Sequence, residues 1–259
     1  MKSKIFLLLT STICFSLCSC EISEKDAIKI SNEINNAYQN VLYLSLESHS
    51  YGYDPTNDNY YDIRETTESI NKNEFLHVKQ EATVGETKYV QEAFIVADDT
   101  YGQITYFKKE IEGEETIEYA YVQNSNPDVY YNHYMDVYML EMDSYHDFTN
   151  LFSTDAFIPF KNDNQEFVAT TKVYASNKNR DLKVENTVKY KRIHPYNRFI
   201  KKTNETIIIK NYLVTSFKGA ATYAVAEKEE RAFFEIKATY PSSLSIELPP
   251  HWEEKIIQQ

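Results

Sequence analysis

Residues 42–47 read LYLSLE, and here the apolar positions take up a two-residue period. Leu42, Leu44 and Leu46 alternate with more polar residues, so they share one face of an extended chain. The pattern predicts a β-strand from Leu42, and similar stretches recur on both sides of a central interruption. Further strands are predicted at residues 60–70, 73–83, 87–98, 101–111, 115–123, 166–176, 182–192, 198–209, 212–217, 220–227, 231–239 and 243–248.

Two segments have helical spacing instead. In residues 23–40 small and apolar residues, among them Ala27, Ile30 and Ile34, recur three or four positions apart after a capping Ser23. Residues 129–153 return to the helical period. Between two of the predicted strands, Gly113 marks a hairpin turn. No Gly/Ser-rich or Pro-rich linker divides the chain. The order predicts an α+β fold: one domain over residues 23–259, with an antiparallel sheet, an N-terminal helix and a mid-chain helical segment.

The composition restricts the classes of function. The chain has 259 residues, 14% aromatic, with 39 acidic against 27 basic side chains and a net charge of −12. High aromatic content excludes a disordered chain, and the negative charge argues against nucleic acid as a partner. Residues 161–210 are positively charged instead, with 12 basic and 5 acidic residues. These lysines are either solvated strand residues or a surface for anionic lipid headgroups.

The N-terminus predicts export and lipid anchoring. Lys2 and Lys4 precede a short apolar run that ends in Leu17-Cys18-Ser19-Cys20. This resembles the lipobox of bacterial lipoproteins, with an aliphatic residue at −3 and a small residue at −1. The resemblance implies a signal peptide at residues 1–19, lipidation of Cys20 by acyl chains such as palmitate, and a short linker at residues 20–22. The protein would then sit on the extracytoplasmic face of a cell membrane. The alternative is an ordinary cleaved signal peptide.

Motifs for catalysis and metal binding are absent from the sequence. The six histidines form neither a His-x-x-x-His nor a His-Glu-x-x-His pair, and no Gly-x-Ser-x-Gly or phosphate-binding glycine loop occurs. The three cysteines are Cys14, Cys18 and Cys20, so cleavage before Cys20 leaves no pair for a disulfide. We therefore expect a non-enzymatic protein without a cofactor or a bound metal. The oligomeric state is not predicted.

A cluster of methionine and tyrosine marks a candidate ligand-binding surface. Met135, Tyr138, Met139 and Met142 lie within one short window of the predicted mid-chain helix. Methionine is adaptable and frequent on surfaces that bind varied apolar partners. The four residues either line a greasy pocket or form the core face of the helix.

Two other stretches have competing interpretations. Asp54, Thr56, Asp58, Asp62 and Glu65 occupy positions 1, 3, 5, 9 and 12 of a calcium-loop pattern, but position 6 is not the glycine that such a loop needs. A solvated hairpin loop is the favoured interpretation. The small residues of 219–226 leave room on a sheet face. This favours a helix that packs closely on the strand rather than a bound ligand.

The whole layout resembles the LolA/LppX-like envelope lipoproteins and lipid carriers. The likeness covers residues 23–250, and residues 240–249 (YPSSLSIELP) are similar to the closing strand pair of that group. The resemblance implies a curved, half-barrel-like sheet closed by helices, with an apolar cavity that holds a lipid-like ligand. The alternative is an interaction module that presents a tyrosine-rich sheet to proteins or glycans, because tyrosine combines contact area with a polar tip.

Overall fold

The computed structural model describes residues 24–55, 57–71, 75–122, 160–191, 200–225 and 228–257. Within these ranges the chain forms one helix, twelve strands and short 3-10 turns, of which the last covers Trp252–Lys255. The elements are α1 (Glu24–Gln39), β1 (Tyr43–Asp54), β2 (Asn59–Ile70), β3 (Phe75–Val84), β4 (Thr87–Asp98), β5 (Gly102–Ile111), β6 (Ile117–Val122), β7 (Phe160–Asp163), β8 (Phe167–Ser176), β9 (Asp181–Tyr190), β10 (Ile200–Lys210), β11 (Leu213–Val225) and β12 (Lys228–Thr239).

All twelve strands belong to one open, curved antiparallel sheet with the order β6-β5-β4-β3-β2-β1-β12-β11-β10-β9-β8-β7. Strands β1–β6 and strands β7–β12 each form a meander in which neighbours along the chain are neighbours in space. The pairing of β1 with β12, from Ser45 opposite Thr239 to Gly52 opposite Ala232, joins the two meanders. No helix in the described ranges is long and apolar enough to cross a membrane.

The inner face of the sheet is the face that α1 covers. Ala27, Ile30 and Ile34 of the helix are buried against Leu44 and Leu46 of β1. The same core includes inner-face residues of β8–β12: Val173, Leu182, Val184, Ile207, Ile209, Val214, Phe217, Ile236 and Ala238. The alternation of residues 42–47 therefore has the predicted consequence, because Leu44 and Leu46 both point towards the helix.

The outer face is mostly charged, and the C-terminal segment covers one part of it. Ion pairs such as Lys108–Glu110 within β5 and Lys218–Glu235 between β11 and β12 lie on this face. Near β6, Trp252 packs on Phe94 and Tyr106, and Lys255 forms an ion pair with Glu118 at 2.7 Å. The backbone amide of Ile257 also donates to Ala120 at 3.2 Å.

Most predicted elements are confirmed, with two corrections. Residues 87–98 form β4 with the predicted bounds, and Gly113, at a φ of +82°, lies in the β5–β6 turn. The predicted strands 212–217 and 220–227 are one strand, β11. Residues 243–248 are not a strand: Ile246 and Leu248 pack beside Trp252 without ladder partners. The predicted helix at residues 129–153 lies outside the described residues.

Candidate functional site

The inner pocket is a cavity of about 250 Å³ on the inner face, over strands β1, β2, β3 and β12. Ser48 and Ser50 of β1 form its floor, beyond the part of the strand where Leu44 and Leu46 meet α1. Along β1 the inward-facing residues thus change from leucine under α1 to serine under the pocket, which leaves the floor polar and open. His49 and Glu235 also border the pocket. Their side chains alternate to the outer face, where they pair with Asp62 and Lys218.

One side of the inner pocket is polar and centres on Glu65 of β2. Its side chain is only 4% exposed, and its carboxylate accepts hydrogen bonds from Gln80 Nε2 at 2.9 Å and Thr67 Oγ1 at 3.3 Å. Gln80 Oε1 in turn accepts from Gln91 Nε2 at 2.6 Å. A buried carboxylate is costly unless such donors surround it. The chain of amides therefore holds Glu65 in place beside the cavity.

The opposite side of the pocket is apolar. Phe234 and Ile236 of β12 line it, whereas Ile63, two residues before Glu65 on β2, adds an apolar side chain on the polar side. The rings of Phe234 and Phe217 meet edge to face at 4.7 Å between centroids. Gly219 of β11 makes this possible, because a Cβ atom there would lie 2.1 Å from Phe234 Cε1. The prediction that a helix packs closely on residues 219–226 stays a prediction, because residues 123–159 lie outside the described residues. At Gly219 the close neighbour is the Phe234 ring, which borders the pocket. The helix α1 meets β11 at Val214 and Phe217 instead.

Tyr61 completes the lining at the end of the pocket away from α1. Burial raises the pKa of its hydroxyl above the ordinary value of 10.0, and the nearby Tyr223 and Asp54 raise the pKa further. The Tyr61 hydroxyl is therefore protonated at neutral pH and is available as a neutral hydrogen-bonding group. The lining as a whole suits a ligand with one polar and one apolar part.

Two larger open clefts lie on the outer face, with volumes of about 590 Å³ and 400 Å³. Side chains of both signs line them, and several of these are already paired, as in Lys79–Glu81 at 3.0 Å and Lys88–Glu112 at 3.5 Å. Their size alone does not make them better sites. Solvated, mutually paired charges offer little to an apolar ligand, so the smaller inner pocket is the stronger candidate.

The outer face also holds a histidine between two carboxylates. His77 of β3 lies 3.1 Å from Glu68 Oε2 and 2.8 Å from Glu92 Oε1, and its ring stacks on Phe94 at 4.3 Å. Burial lowers the pKa of the ring, but the hydrogen bonds and negative charges of Glu92 and Glu68 outweigh it. The pKa is therefore raised above 6.5 in the folded protein.

This arrangement predicts pH-dependent stability. A raised folded-state pKa gives a stabilisation that is complete below the unfolded pKa of about 6.5 and disappears as the pH rises through the folded value. Replacing His77 with glutamine should thus cost of the order of 1 kcal/mol of unfolding free energy at about pH 6, and clearly less at about pH 9. Urea denaturation of both proteins at the two pH values measures this. An equal loss at both would contradict it.

The sequence-predicted site residues fall into two groups. Cys20, Met135, Tyr138, Met139 and Met142 lie outside the described residues, so their predicted roles remain predictions. In the calcium-like stretch, the hairpin interpretation is confirmed, because Asp54 pairs with Asn59 across the β1–β2 turn. Asp62 and Glu65 lie on opposite faces of β2 and cannot converge on one ion. Within the described ranges, no group of three acidic, histidine or cysteine side chains is placed to hold a metal.

Sequence reasoning did not single out the residues of the inner pocket. Glu65 attracted attention only as the last position of the calcium-like pattern, although Ile63 and Thr67 place it on an inward-facing row. A charged residue between such neighbours is a signal that could have been used. Gln80 and Phe234 gave no comparable signal, because their role depends on strand pairings between distant parts of the chain.

Comparisons with known proteins give distant structural likenesses. No family model matches the sequence, and no curated protein is similar to it. A solved DUF1329 family protein from Desulfovibrio piger ATCC 29098 is 8% identical over 85% of this chain and 94% of its own, with a TM-score of 0.25. The ywiB protein from Bacillus subtilis is 9% identical over 78% of this chain and 93% of its own, with a TM-score of 0.16. At these TM-scores neither likeness identifies a relative.

Proposed function

We propose that this chain is a membrane-anchored binding protein that holds a small amphiphilic, lipid-like ligand in the inner pocket and catalyses no reaction. The observation that carries the proposal is the two-sided lining of the pocket. Ile63, Phe234 and Ile236 supply apolar contact, whereas Glu65 and Gln80 supply polar groups within the same cavity. Burial of the ligand's apolar part against these side chains gives about 25 cal/mol per Å².

The size of the pocket limits the ligand. At about 250 Å³ it lies just below the range of about 300–1,000 Å³ typical of small-molecule sites. A single short alkyl chain or ring fits this space better than a complete diacyl lipid. The lipidation of Cys20 that the lipobox implies would keep the pocket near a membrane, where such amphiphiles are concentrated.

The proposal is tested by filling the pocket. We take the full chain with Cys20→Ser, called the anchor-free chain, and titrate it with a neutral naphthylamine dye that fluoresces in apolar surroundings. Ser50→Trp places a large ring in the inner pocket and should weaken dye binding by about tenfold, which corresponds to 1.4 kcal/mol.

Thr66→Trp is the matched control. Thr66 lies on the outer face of β2 and borders the 400 Å³ cleft, so it fills the competing outer site instead. We expect the dye to bind this variant as it binds the anchor-free chain. Loss of binding in Thr66→Trp with retention in Ser50→Trp would assign the ligand to the outer face.

A second candidate function is protein or glycan recognition by the outer face. Tyr51 is 41% exposed. Its ring stacks on Phe233 at 5.2 Å and lies tilted against His49 at 4.7 Å between ring centroids. Exposed, rigid aromatic rows are frequent in interaction surfaces. A dye titration without any binding to the anchor-free chain would favour this candidate.

A further inference from the structure

We infer that the polar end of the ligand lies at the Tyr61 end of the inner pocket and is an uncharged hydrogen-bond acceptor, such as a carbonyl oxygen. The inference deepens the proposed function and rests on it, because it names the ligand class and the orientation of the ligand in the same pocket. It starts from the polar lining groups whose hydrogen-bonding capacity the protein itself does not use.

The hydroxyl groups of Tyr61 and Ser50 are the polar lining groups that the protein leaves to a ligand. On the Glu65 side, the carboxylate accepts from Gln80 Nε2 at 2.9 Å, and Gln80 Oε1 accepts from Gln91 Nε2 at 2.6 Å. By contrast, the Tyr61 and Ser50 hydroxyls have no hydrogen-bond partner in the ranges that the structure describes. A hydroxyl group can donate its proton to an acceptor on a ligand.

A second tyrosine reaches the same end of the pocket. Tyr223 lies four residues after Gly219 on β11 and has the same facing. The strands β1 and β12 separate Tyr223 from Tyr61 on β2, which amounts to about 14 Å along a flat sheet. Between them, Gly52 of β1 lies opposite Ala232 of β12. Because these residues are small, both rings can lean over them, and Tyr223 is close enough to raise the pKa of Tyr61.

Both tyrosine hydroxyls are protonated at neutral pH. Burial is the largest cause that raises the pKa of Tyr61 and of Tyr223 above the ordinary value of 10.0. The Tyr223 hydroxyl, like that of Tyr61, has no hydrogen-bond partner among the described residues. Two hydroxyl protons at one end of the pocket are therefore available to a single acceptor on the ligand.

The lining disfavours a charged polar end of either sign. The described lining residues include neither lysine nor arginine, so an anionic end would lose its hydration without gaining a cationic partner. An ammonium end carries donors only, so it would leave the protons of Tyr61 and Tyr223 without an acceptor. A carbonyl oxygen has two lone pairs and can accept from both hydroxyls at once.

The apolar wall sets the direction of the rest of the ligand. Phe234 lies opposite Ser50 across the β1–β12 pairing. Ile236, two residues further along β12, is 3% exposed and belongs to the core beneath α1. This end of the pocket is closed by apolar side chains, whereas Tyr61 at the other end is only half-buried. An alkyl chain therefore points towards Ile236 when its carbonyl group lies at Tyr61.

The test uses two short ligands of the same shape. Heptan-2-one has a carbonyl oxygen where 2-methylhept-1-ene has a methylene group, and each is used to displace the naphthylamine dye from the anchor-free chain. In Tyr61→Phe, the ketone concentration needed for displacement should rise about fivefold, because one hydrogen bond is lost. The alkene concentration should stay within about twofold. Tyr223→Phe should give the same pattern.

Tyr51→Phe is the matched control for the loss of a tyrosine hydroxyl. Tyr51 lies on the outer face and is 41% exposed, so neither concentration should change. Heptanoate and heptylammonium test the charge of the polar end at about pH 7, where the acid is ionised and the amine protonated. On the anchor-free chain, each should need a concentration at least about tenfold higher than the ketone.

The outcomes separate the inference from the proposed function. An equal change for ketone and alkene in Tyr61→Phe, or no change for either, would overturn the inference and leave the binding function standing. Displacement by heptanoate or heptylammonium at or below the ketone concentration would do the same, and this comparison holds even where a tyrosine variant does not fold. An anchor-free chain that does not bind the dye contradicts the proposed function itself, and the inference falls with it.

Discussion

Replacing Gly52 with alanine is expected to lower the free energy of unfolding by about 3 kcal/mol. Gly52 has a φ of +136°, a conformation that side chains rarely adopt, and a Cβ atom there would lie 2.3 Å from the carbonyl oxygen of Arg231 and 2.5 Å from the Cα of Ala232. Both contacts are with backbone, which cannot move aside as a flexible side chain can. The strain falls on the β1–β12 pairing that joins the two meanders.

Gly113→Ala provides the comparison for Gly52→Ala. Gly113 also has a positive φ, of +82°, but no neighbouring atom lies within 4 Å of its Cβ position. Replacing it with alanine should lower the free energy of unfolding by only about 1 kcal/mol, which is the cost of a positive φ for a residue with a side chain. Chemical denaturation of both variants measures the difference. Equal losses would show that the close approach of β1 to β12 at Gly52 is unimportant.

Replacing Ile34 with alanine should lower the free energy of unfolding by about 3 kcal/mol, within the range of about 2–5 kcal/mol for truncating buried isoleucine. Ile34 is 0% exposed and belongs to the core between α1 and the inner face. The substitution leaves a cavity at that contact, while alanine itself favours the helix. The effect therefore reports packing rather than helix propensity.

Ile28→Ala is the matched control on the same helix. Ile28 is 47% exposed, so its truncation should change stability by less than about 0.5 kcal/mol. Denaturant unfolding followed by circular dichroism gives both values. A small loss in Ile34→Ala would contradict the docking of α1 on the inner face, because a free helix would tolerate both changes alike.

Local sequence patterns predicted the strands well where one face is buried. The leucines at 44 and 46 and the apolar run of β4 gave correct elements, because alternation reflects burial directly. The same logic failed at residues 243–248. Ile246 and Leu248 are anchored by packing near Trp252, and side-chain periodicity does not show whether a strand partner exists.

The long-range arrangement could not be predicted from local patterns. The sequence showed small residues at 219–226 but not what packs at Gly219, where the Phe234 ring occupies the space above the glycine. The pairing of β1 with β12 joins strands that lie far apart in the sequence, and no local feature encodes it. The inner pocket depends on this pairing, because Phe234 and Ser50 are opposite each other across it.

The most direct test of the inner pocket is native mass spectrometry of the anchor-free chain, purified from a bacterial host without detergent. The pocket predicts a fraction of ions heavier than the chain by the mass of one small amphiphile. This additional mass should be absent from Ser50→Trp and present in Thr66→Trp. A bound molecule retained in Ser50→Trp, or an anchor-free chain found solely at its own mass, would contradict the assignment of the inner pocket as a ligand site.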